Sequence, residues 1–347
     1  MENKHHQLNM NKFLNKKVHY EWIDTAKIVG IYLVTIGHGS LVSIYWQQYI
    51  YSFHMPLFFF LSGMLYHHRS TTETLKHNTR TILVPYLIIN IIGLLYISFS
   101  YWLNDCLSFD KIISHIGAIM LGLGYTAGRW IPVCTPLWFV ITLFIILVVM
   151  SFLRTKIQII TFSIFSVIAF LLLHHFNIDF YIPVDSALMA LPFFSAGFIT
   201  KKLILEDKRP MIIETAIALV MLFGCYILSN VNGRVSLGSC NFGNNILLFY
   251  VTAFLGTIGF INMSKVLDRI RLKMRVGGGK SYVSGLFIIM GFNVIVVFQA
   301  QRVVEVFFPS LTITTPLGML IGIVILLLFW PIITFCKKYI PAIVGFR

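Results

Sequence analysis

Ionisable residues interrupt two apolar stretches near the start of the sequence. They are Asp24, Lys27 and His38 in the first stretch and His54 in the second. A neutral imidazole can take a proton from a hydroxyl group, and an ammonium group can bind a phosphate or stabilise a developing oxyanion. Because charged groups at membrane depth are costly, their presence in apolar helices indicates a functional site. The alternatives are a histidine bonded to a backbone carbonyl and an ordinary Asp24–Lys27 pair at the membrane surface.

The spacing of these residues predicts a common direction. On a helix, Asp24, Lys27 and His38 lie on one face. The rise from Lys27 to His38 is about 16 Å, so the charge lies near one membrane surface and the imidazole well inside. With spans at 25–44 and 48–67, each histidine lies about 9 Å below the outer edge. The two imidazoles are therefore expected at one depth on adjacent antiparallel helices.

The composition of the whole chain is typical of a membrane protein. Of the 347 residues, 57% are hydrophobic and 12% are charged, whereas soluble domains carry about twice that charge. The mean hydropathy is +0.82, and apolar runs of about 20 residues recur along the chain. We therefore predict an all-α polytopic membrane protein with about ten transmembrane helices in one bundle. Residues 1–22 are predicted to form a basic cytoplasmic tail, and residues 23–347 the membrane domain.

The positive charge follows the predicted loops. Most of the 27 Lys and Arg residues fall in alternate loops, which the positive-inside rule assigns to the cytoplasm together with both termini. The net charge of +14 is therefore interpreted as a topology signal and not as nucleic-acid binding. The apolar segment 112–126 is too short to span and is expected to form a re-entrant or interfacial helix.

Other candidates lie in the predicted outer segments. Arg129 and Trp138 could bind an acceptor molecule, although a surface Arg and an interfacial aromatic belt explain them equally well. The five cysteines form no CxxC pair, so no metal site is predicted. A disulfide between outer cysteines such as Cys106 and Cys134 remains open.

Five motifs are distributed along the chain after the tail. The two most specific are WIDTAKIVGIYLVTIGH at 22–38 and SFHMPLFFFLSG at 52–63. The weaker ones are RTILVPY at 80–86, PLWF at 136–139 and GKSY at 279–282. Together they resemble the integral-membrane acyltransferase 3 family, and most of all its fucose 4-O-acetylase-like branch.

This resemblance implies transfer of an acyl group, usually acetyl, from cytosolic acyl-CoA to a hydroxyl of a cell-surface or exported carbohydrate. It implies a bacterial plasma membrane protein whose partners are acyl-CoA, a carbohydrate acceptor and the lipid bilayer. Acyl-CoA would be a co-substrate and no cofactor would be tightly bound. His38 resembles the essential histidine of the family, and Lys27 and Asp24 resemble its partners in the first span. Arg69 and Arg80 match the basic inner positions expected near the CoA phosphates.

Three questions stay open at this level. His38 could act as a general base or could itself carry the acyl group, and His54 could orient His38 or meet the acceptor. Asn293 stands where many members of the family have a further histidine. A transporter or flippase for glycan precursors is the alternative function, although no inverted repeat is evident.

Overall fold

The computed structural model describes residues 19–178, 180, 182–273 and 282–345, and every regular element in these ranges is a helix. The all-α prediction is thereby confirmed. The tail up to residue 18 and most of the GKSY motif lie outside the described residues. We label the longer α-helices α1 to α11: Glu21–Gly37, Ile44–Leu65, Thr71–Leu103, Phe109–Leu121, Trp138–Phe152, Lys156–His175, Val184–Leu205, Met211–Asn232, Ile246–Lys273, Leu286–Phe307 and Thr315–Tyr339.

Eight of these helices are long and apolar enough to cross a membrane. They are α3, α5 with the turn before it, and α6 to α11. Helix α1 has only 17 residues, and α2 interrupts its apolar residues with two glutamines and a histidine. The structure therefore supports a polytopic membrane protein, while the crossing of α1 and α2, and thus the total of ten spans, stays a prediction.

Apart from the short α4, successive helices run in opposite directions, so the bundle has two ends. We call them the His38 end, where α1 finishes and α2 begins, and the Arg69 end, where α2 finishes and α3 begins. Basic residues in the described part of the chain concentrate at the Arg69 end. Those at the His38 end are Lys111, Arg129, Arg234 and Arg302. The two ends thus differ in charge as predicted, and the assignment of the Arg69 end to the cytoplasm stays a prediction.

Helix α2 lies at the centre of the bundle and packs against α1, α7, α8 and α9. Two glycines allow its closest contact, with α7. A Cβ atom on Gly63 would overlap the carbonyl oxygen of Phe194, and a Cβ atom on Gly197 would overlap that of Phe60. The two backbones therefore touch, as small residues permit at helix crossings in membranes.

Helix α3 begins earlier than its predicted start at residue 82. It starts with a capping box formed by Ser70 and Glu73 and contains a π-helical turn at Thr79–Leu83. Pro85 lies two residues after the end of this turn. Because proline lacks an N–H and clashes with the carbonyl four residues earlier, a wider turn accommodates it without breaking the helix.

The predicted short helix is confirmed as α4, which has 13 residues. It is anchored to the segment that precedes α5. The Ser114 hydroxyl donates to the Arg129 carbonyl, and His115 Nδ1 donates to the Ile131 carbonyl at 2.7 Å. The other His115 nitrogen lies 3.1 Å from the Tyr101 hydroxyl. Both ring nitrogens of this buried histidine are thus hydrogen-bonded. The bond to the Ile131 carbonyl holds the segment that leads to Trp138 in place.

The five cysteines are free thiols. The disulfide left open between Cys106 and Cys134 is not formed in the structure. Cys134 is buried against α3, where its thiol lies 3.9 Å from the Ile89 carbonyl, so it serves in packing.

Candidate active site

His38 is the residue after α1 and does not lie within the helix. Helix α1 ends at Gly37 and α2 starts at Ile44, so the predicted spans at 25–44 and 48–67 are displaced toward the C-terminus. His54 lies ten residues into α2, about 15 Å from its first residue. The two histidines were expected at equal depth because of those predicted span limits, which the structure does not have. They come together because the turn at 38–43 brings His38 back toward α2.

Tyr51 connects the two histidines. Its hydroxyl lies 3.1 Å from His38 Nδ1, and its ring packs edge-on against His54 with centroids 5.0 Å apart. His54 is 4% exposed and donates from Nδ1 to the Ile50 carbonyl at 2.8 Å. The structural role considered for a buried histidine therefore applies to His54, whereas His38 bonds to a side chain that can orient it.

Both histidines border a cavity at the His38 end. Its main part has a volume of about 330 Å³ and is lined by residues that include His38, Tyr51, Trp138, Arg234, Ser236 and Asn241. A narrower extension of about 40 Å³ reaches His54 and Met290. We call both parts together the His38 cavity. Aromatic and polar walls of this kind suit a small hydroxylated molecule.

The predicted acceptor residues have different positions. Trp138 lines the His38 cavity, and its role in acceptor binding stays a prediction. Arg129 is not among the lining residues, and its guanidinium lies 4.3 Å from the centre of the Trp130 ring. Arg234 occupies the place expected for Arg129. Sequence analysis missed it because the loop after α8 reads as ordinary surface polarity.

Tyr51 was also missed, although the sequence held a signal for it. Residues three apart on a helix share a face. Interpretation of the second stretch as a helix therefore already implies that Tyr51 and His54 are neighbours. Its contact with His38 depends on the turn between α1 and α2, which hydrophobicity alone does not predict.

A larger cavity of about 970 Å³ opens at the Arg69 end. We call it the Arg69 cavity. Arg69, Lys201 and Lys202 line it, together with three histidines and one carboxylate, that of Glu206. Arg80, predicted with Arg69 to meet phosphates, is not among the lining residues and lies in the π-helical turn of α3. The cavity therefore gathers an excess of positive charge.

Two buried hydroxyl groups in the Arg69 cavity have no hydrogen-bond partner in the described part of the chain. They belong to Tyr66 and Thr74, which are 6% and 2% exposed. Buried polar groups are nearly always bonded, so unpaired ones suggest a ligand or water at that position. The Lys201 ammonium donates to the Tyr66 carbonyl at 3.2 Å, which places a cation beside them.

An aromatic layer separates the two cavities. Helix α2 lines the His38 cavity up to Met55 and the Arg69 cavity from Ser62, a rise of about 10 Å. Phe58 and Phe59 lie between these positions and are buried. Their ring centroids are 6.0 and 4.6 Å from that of Phe139 on α5. We call these three rings the phenylalanine layer.

The other first-helix candidates lie away from His38. Asp24 accepts a hydrogen bond from His19 Nε2 at 2.9 Å, and Lys27 is half-buried near the same end of α1. Neither residue lines the His38 cavity or the Arg69 cavity. Lys27 lies in α1 and His38 directly follows this helix, about 16 Å farther along its axis, and the structure does not bring the two residues into one site.

Several cations at the Arg69 end bind carboxylates and are not free for a ligand. Arg271 pairs with Glu21 at 2.6 Å and with Asp268 at 2.7 Å, so α9 is tied to the start of α1. In the loop after α7, Asp207 binds Arg209 and Lys265. Hydrogen bonding to the Arg209 guanidinium holds the pKa of Asp207 well below its usual range. These pairs are interpreted as structural.

Asn293 is fully buried on α10. Neither polar atom of its amide has a hydrogen-bond partner in the described part of the chain. An amide inside a membrane bundle commonly forms a hydrogen bond to a neighbouring helix. The Asn293 amide forms no such bond within the described residues. Asn293 lies one helical turn after Met290, which lines the narrow part of the His38 cavity.

Comparison with known families decides the class. The model of the acyltransferase 3 family, described as an acyltransferase domain, matches residues 20–336. The chain belongs to this family. Neither the curated proteins nor the solved structures give a significant match. The protein is therefore a membrane acyltransferase.

The contact between Tyr51 and His38 predicts an orienting role for Tyr51, which a single substitution can test. Tyr51→Phe removes the hydroxyl from His38 Nδ1 but keeps the ring against His54. We expect kcat to fall about tenfold, the equivalent of one lost hydrogen bond, with both KM values unchanged. Steady-state kinetics of purified protein would measure this. A rise in KM with unchanged kcat would show that Tyr51 binds substrate instead.

Proposed function

We propose that the protein is a membrane O-acyltransferase that moves an acyl group, most simply acetyl, from acyl-CoA to a carbohydrate hydroxyl. The observation that carries this proposal is that one central helix, α2, lines a cationic cavity at one end and a histidine cavity at the other. Charged and polar substrates can thus be bound at opposite ends of one bundle. Localisation in a bacterial plasma membrane is part of the same proposal.

The Arg69 cavity suits the donor. CoA carries several phosphate charges, and Arg and Lys are the side chains that bind phosphate. Arg69, Lys201 and Lys202 supply these cations. The unpaired hydroxyls of Tyr66 and Thr74 could bond the amide groups of the pantetheine arm, which would leave no buried polar group unsatisfied.

The His38 cavity suits the acceptor. When His38 Nδ1 carries the hydrogen and donates it to the Tyr51 oxygen, Nε2 keeps a lone pair for the acceptor hydroxyl. For this reaction the pantetheine arm of the donor must extend past the phenylalanine layer, so that its thioester reaches His38 while the CoA phosphates stay in the Arg69 cavity. The hydroxyl oxygen then attacks the thioester carbonyl as Nε2 takes its proton, the carbon–sulfur bond breaks, and the CoA thiolate takes up that proton as it leaves.

In the second route His38 Nε2 attacks the thioester and CoA leaves as the thiol, taking the imidazole proton. The acceptor hydroxyl then attacks the acyl-imidazole, and its proton returns to His38 as the bond from the acyl carbon to Nε2 breaks.

The donor cavity gives a direct test. We expect the double substitution Arg69→Ala with Lys201→Ala to raise the KM for acetyl-CoA about tenfold or more, because two charge-assisted contacts are lost. Lys76→Ala is the matched control, since Lys76 is an exposed cation of α3 that does not line the cavity. An equal KM in the control and the double variant would argue against donor binding in the Arg69 cavity.

The transporter alternative predicts a different requirement. Purified protein in proteoliposomes would be given a glycan acceptor with and without radiolabelled acetyl-CoA. Appearance of label in the carbohydrate only when both substrates are present supports the proposed reaction. Movement of the glycan across the membrane without acyl-CoA, with no label transferred, would favour transport.

A further inference from the structure

Arg234 is the feature of the His38 cavity that the proposed reaction does not use. It is the one Lys or Arg side chain among the residues described as lining that cavity, and no Asp or Glu lies beside it there. The other lining groups are neutral hydroxyls, an amide, an indole and the two imidazoles. The cavity therefore combines a reactive histidine with a single fixed positive charge.

The backbone at Arg234 is held in place by the loop around it. Gly233 ends α8 with φ of +76°, a left-handed conformation that favours glycine. Val235 and Leu237 are buried on the other side. Ser236 and Asn241 exchange two backbone hydrogen bonds of 2.7 and 2.9 Å across the loop. A cation on such a braced loop is positioned before any substrate arrives.

Arg234 has no carboxylate partner within the described residues, in contrast to three arginines at the Arg69 end. Arg209, Arg269 and Arg271 are each paired with Asp or Glu. Arg234 makes no hydrogen bond and no ion pair within the described residues. Its charge acts on the Tyr51 hydroxyl, which is the group bonded to His38. The free guanidinium thus lies close to the groups proposed to do the chemistry.

We propose that the acceptor carries an anionic group, a carboxylate or a phosphate, and that Arg234 binds it while a nearby hydroxyl is acylated. This inference rests on the proposed function and names the class of acceptor. A guanidinium forms paired hydrogen bonds with either anion. The anion also has a second effect. When His38 takes the hydroxyl proton it becomes a cation near Arg234, and a bound anion offsets the repulsion between the two.

The test uses pairs of acceptors that differ only in charge. Purified protein would be assayed with acetyl-CoA and methyl galacturonoside or its neutral carboxamide, and with glucose monophosphate or glucose. We expect kcat/KM to be about tenfold higher for the anionic member of the preferred pair. The first pair reports on carboxylate and the second on phosphate. Preference for the anion should weaken as salt is added, because the site is open to solvent.

Substitution of Arg234 should remove this preference selectively. Arg234→Gln is expected to raise the KM for the anionic acceptor about tenfold and to affect the neutral acceptor much less, so that the ratio of the two kcat/KM values falls toward one. Arg234→Lys should keep part of the preference, since it retains the charge but loses the paired geometry. Arg129→Gln is the matched control, because Arg129 is an exposed arginine at the same end that does not line the cavity.

The failure of this inference can be distinguished from failure of the proposed function. Acyl transfer with equal efficiency to charged and neutral acceptors, unchanged by Arg234→Gln, would overturn the anionic acceptor and leave the acyltransferase reaction intact. Equal loss of preference in Arg234→Gln and Arg129→Gln would assign the effect to general surface charge and would also overturn it. Absence of acyl transfer to every acceptor would overturn both proposals.

Discussion

Replacement of His38 by alanine should abolish acyl transfer. In either proposed route His38 provides the nitrogen that meets the acceptor hydroxyl or carries the acyl group, and a positioned general base contributes about 10² to 10⁴ in rate. We expect kcat to fall by that factor, while the KM for acetyl-CoA stays unchanged because the donor cavity lies beyond the phenylalanine layer. Transfer of radiolabelled acetyl groups by purified protein is the measurement.

His175→Ala is the matched control for His38→Ala. His175 is an exposed histidine at the end of α6 and lines neither cavity, so this variant should keep wild-type activity. Both variants should elute from a sizing column as the wild type does. If His38→Ala folded normally and retained full activity, both proposed chemical routes would be wrong.

Addition of a single methyl group at the crossing of α2 and α7 should destabilise the whole bundle. The Cβ atom of Gly63→Ala would overlap the Phe194 carbonyl, which belongs to the backbone and cannot rotate away. The two helices would have to separate, and overpacking of this kind costs about 1–3 kcal/mol or more. We expect the thermal midpoint to fall by about 5 °C or more, together with activity, since α2 lines both cavities.

Gly224→Ala supplies the control for this prediction. Gly224 lies in a membrane helix of similar length, but a Cβ atom there would approach a neighbouring atom only to 3.9 Å, which is an ordinary contact. Thermal unfolding in detergent, followed by the fraction that stays monodisperse, compares the two variants. Equal midpoints for Gly63→Ala and Gly224→Ala would contradict the close backbone contact.

The order of the helices was accessible from the sequence, whereas their ends were not. The first span was extended to residue 44 because Leu41 and Val42 continue the apolar run. In the structure both are buried in the turn between α1 and α2, and the Leu41 carbonyl contacts α11 where Gly318 leaves room. A buried turn has the same hydropathy as a helix, so the pattern could not mark where α1 ends.

Only some residues of the candidate site could be predicted from the sequence, because contacts between different segments are not visible in it. Polar groups embedded in apolar stretches are visible in the sequence, and these gave His38 and His54. Arg234 enters the site through a contact between segments that are distant in sequence. Tyr51 meets His38 across the turn between α1 and α2, which the sequence prediction placed too far along the chain. Arg129 was chosen in place of Arg234 because a cation beside an aromatic residue is conspicuous in the sequence, yet its own neighbour Trp130 accounts for it.

The phenylalanine layer has a consequence for how such an enzyme could diversify. Because Phe58, Phe59 and Phe139 keep the two cavities apart, residues that recognise the donor do not touch those that recognise the acceptor. In the proposed reaction, substitutions around Arg234 would therefore change which acceptor is acylated while the use of the same donor is preserved. The arrangement would let related enzymes vary the acceptor without rebuilding the donor site.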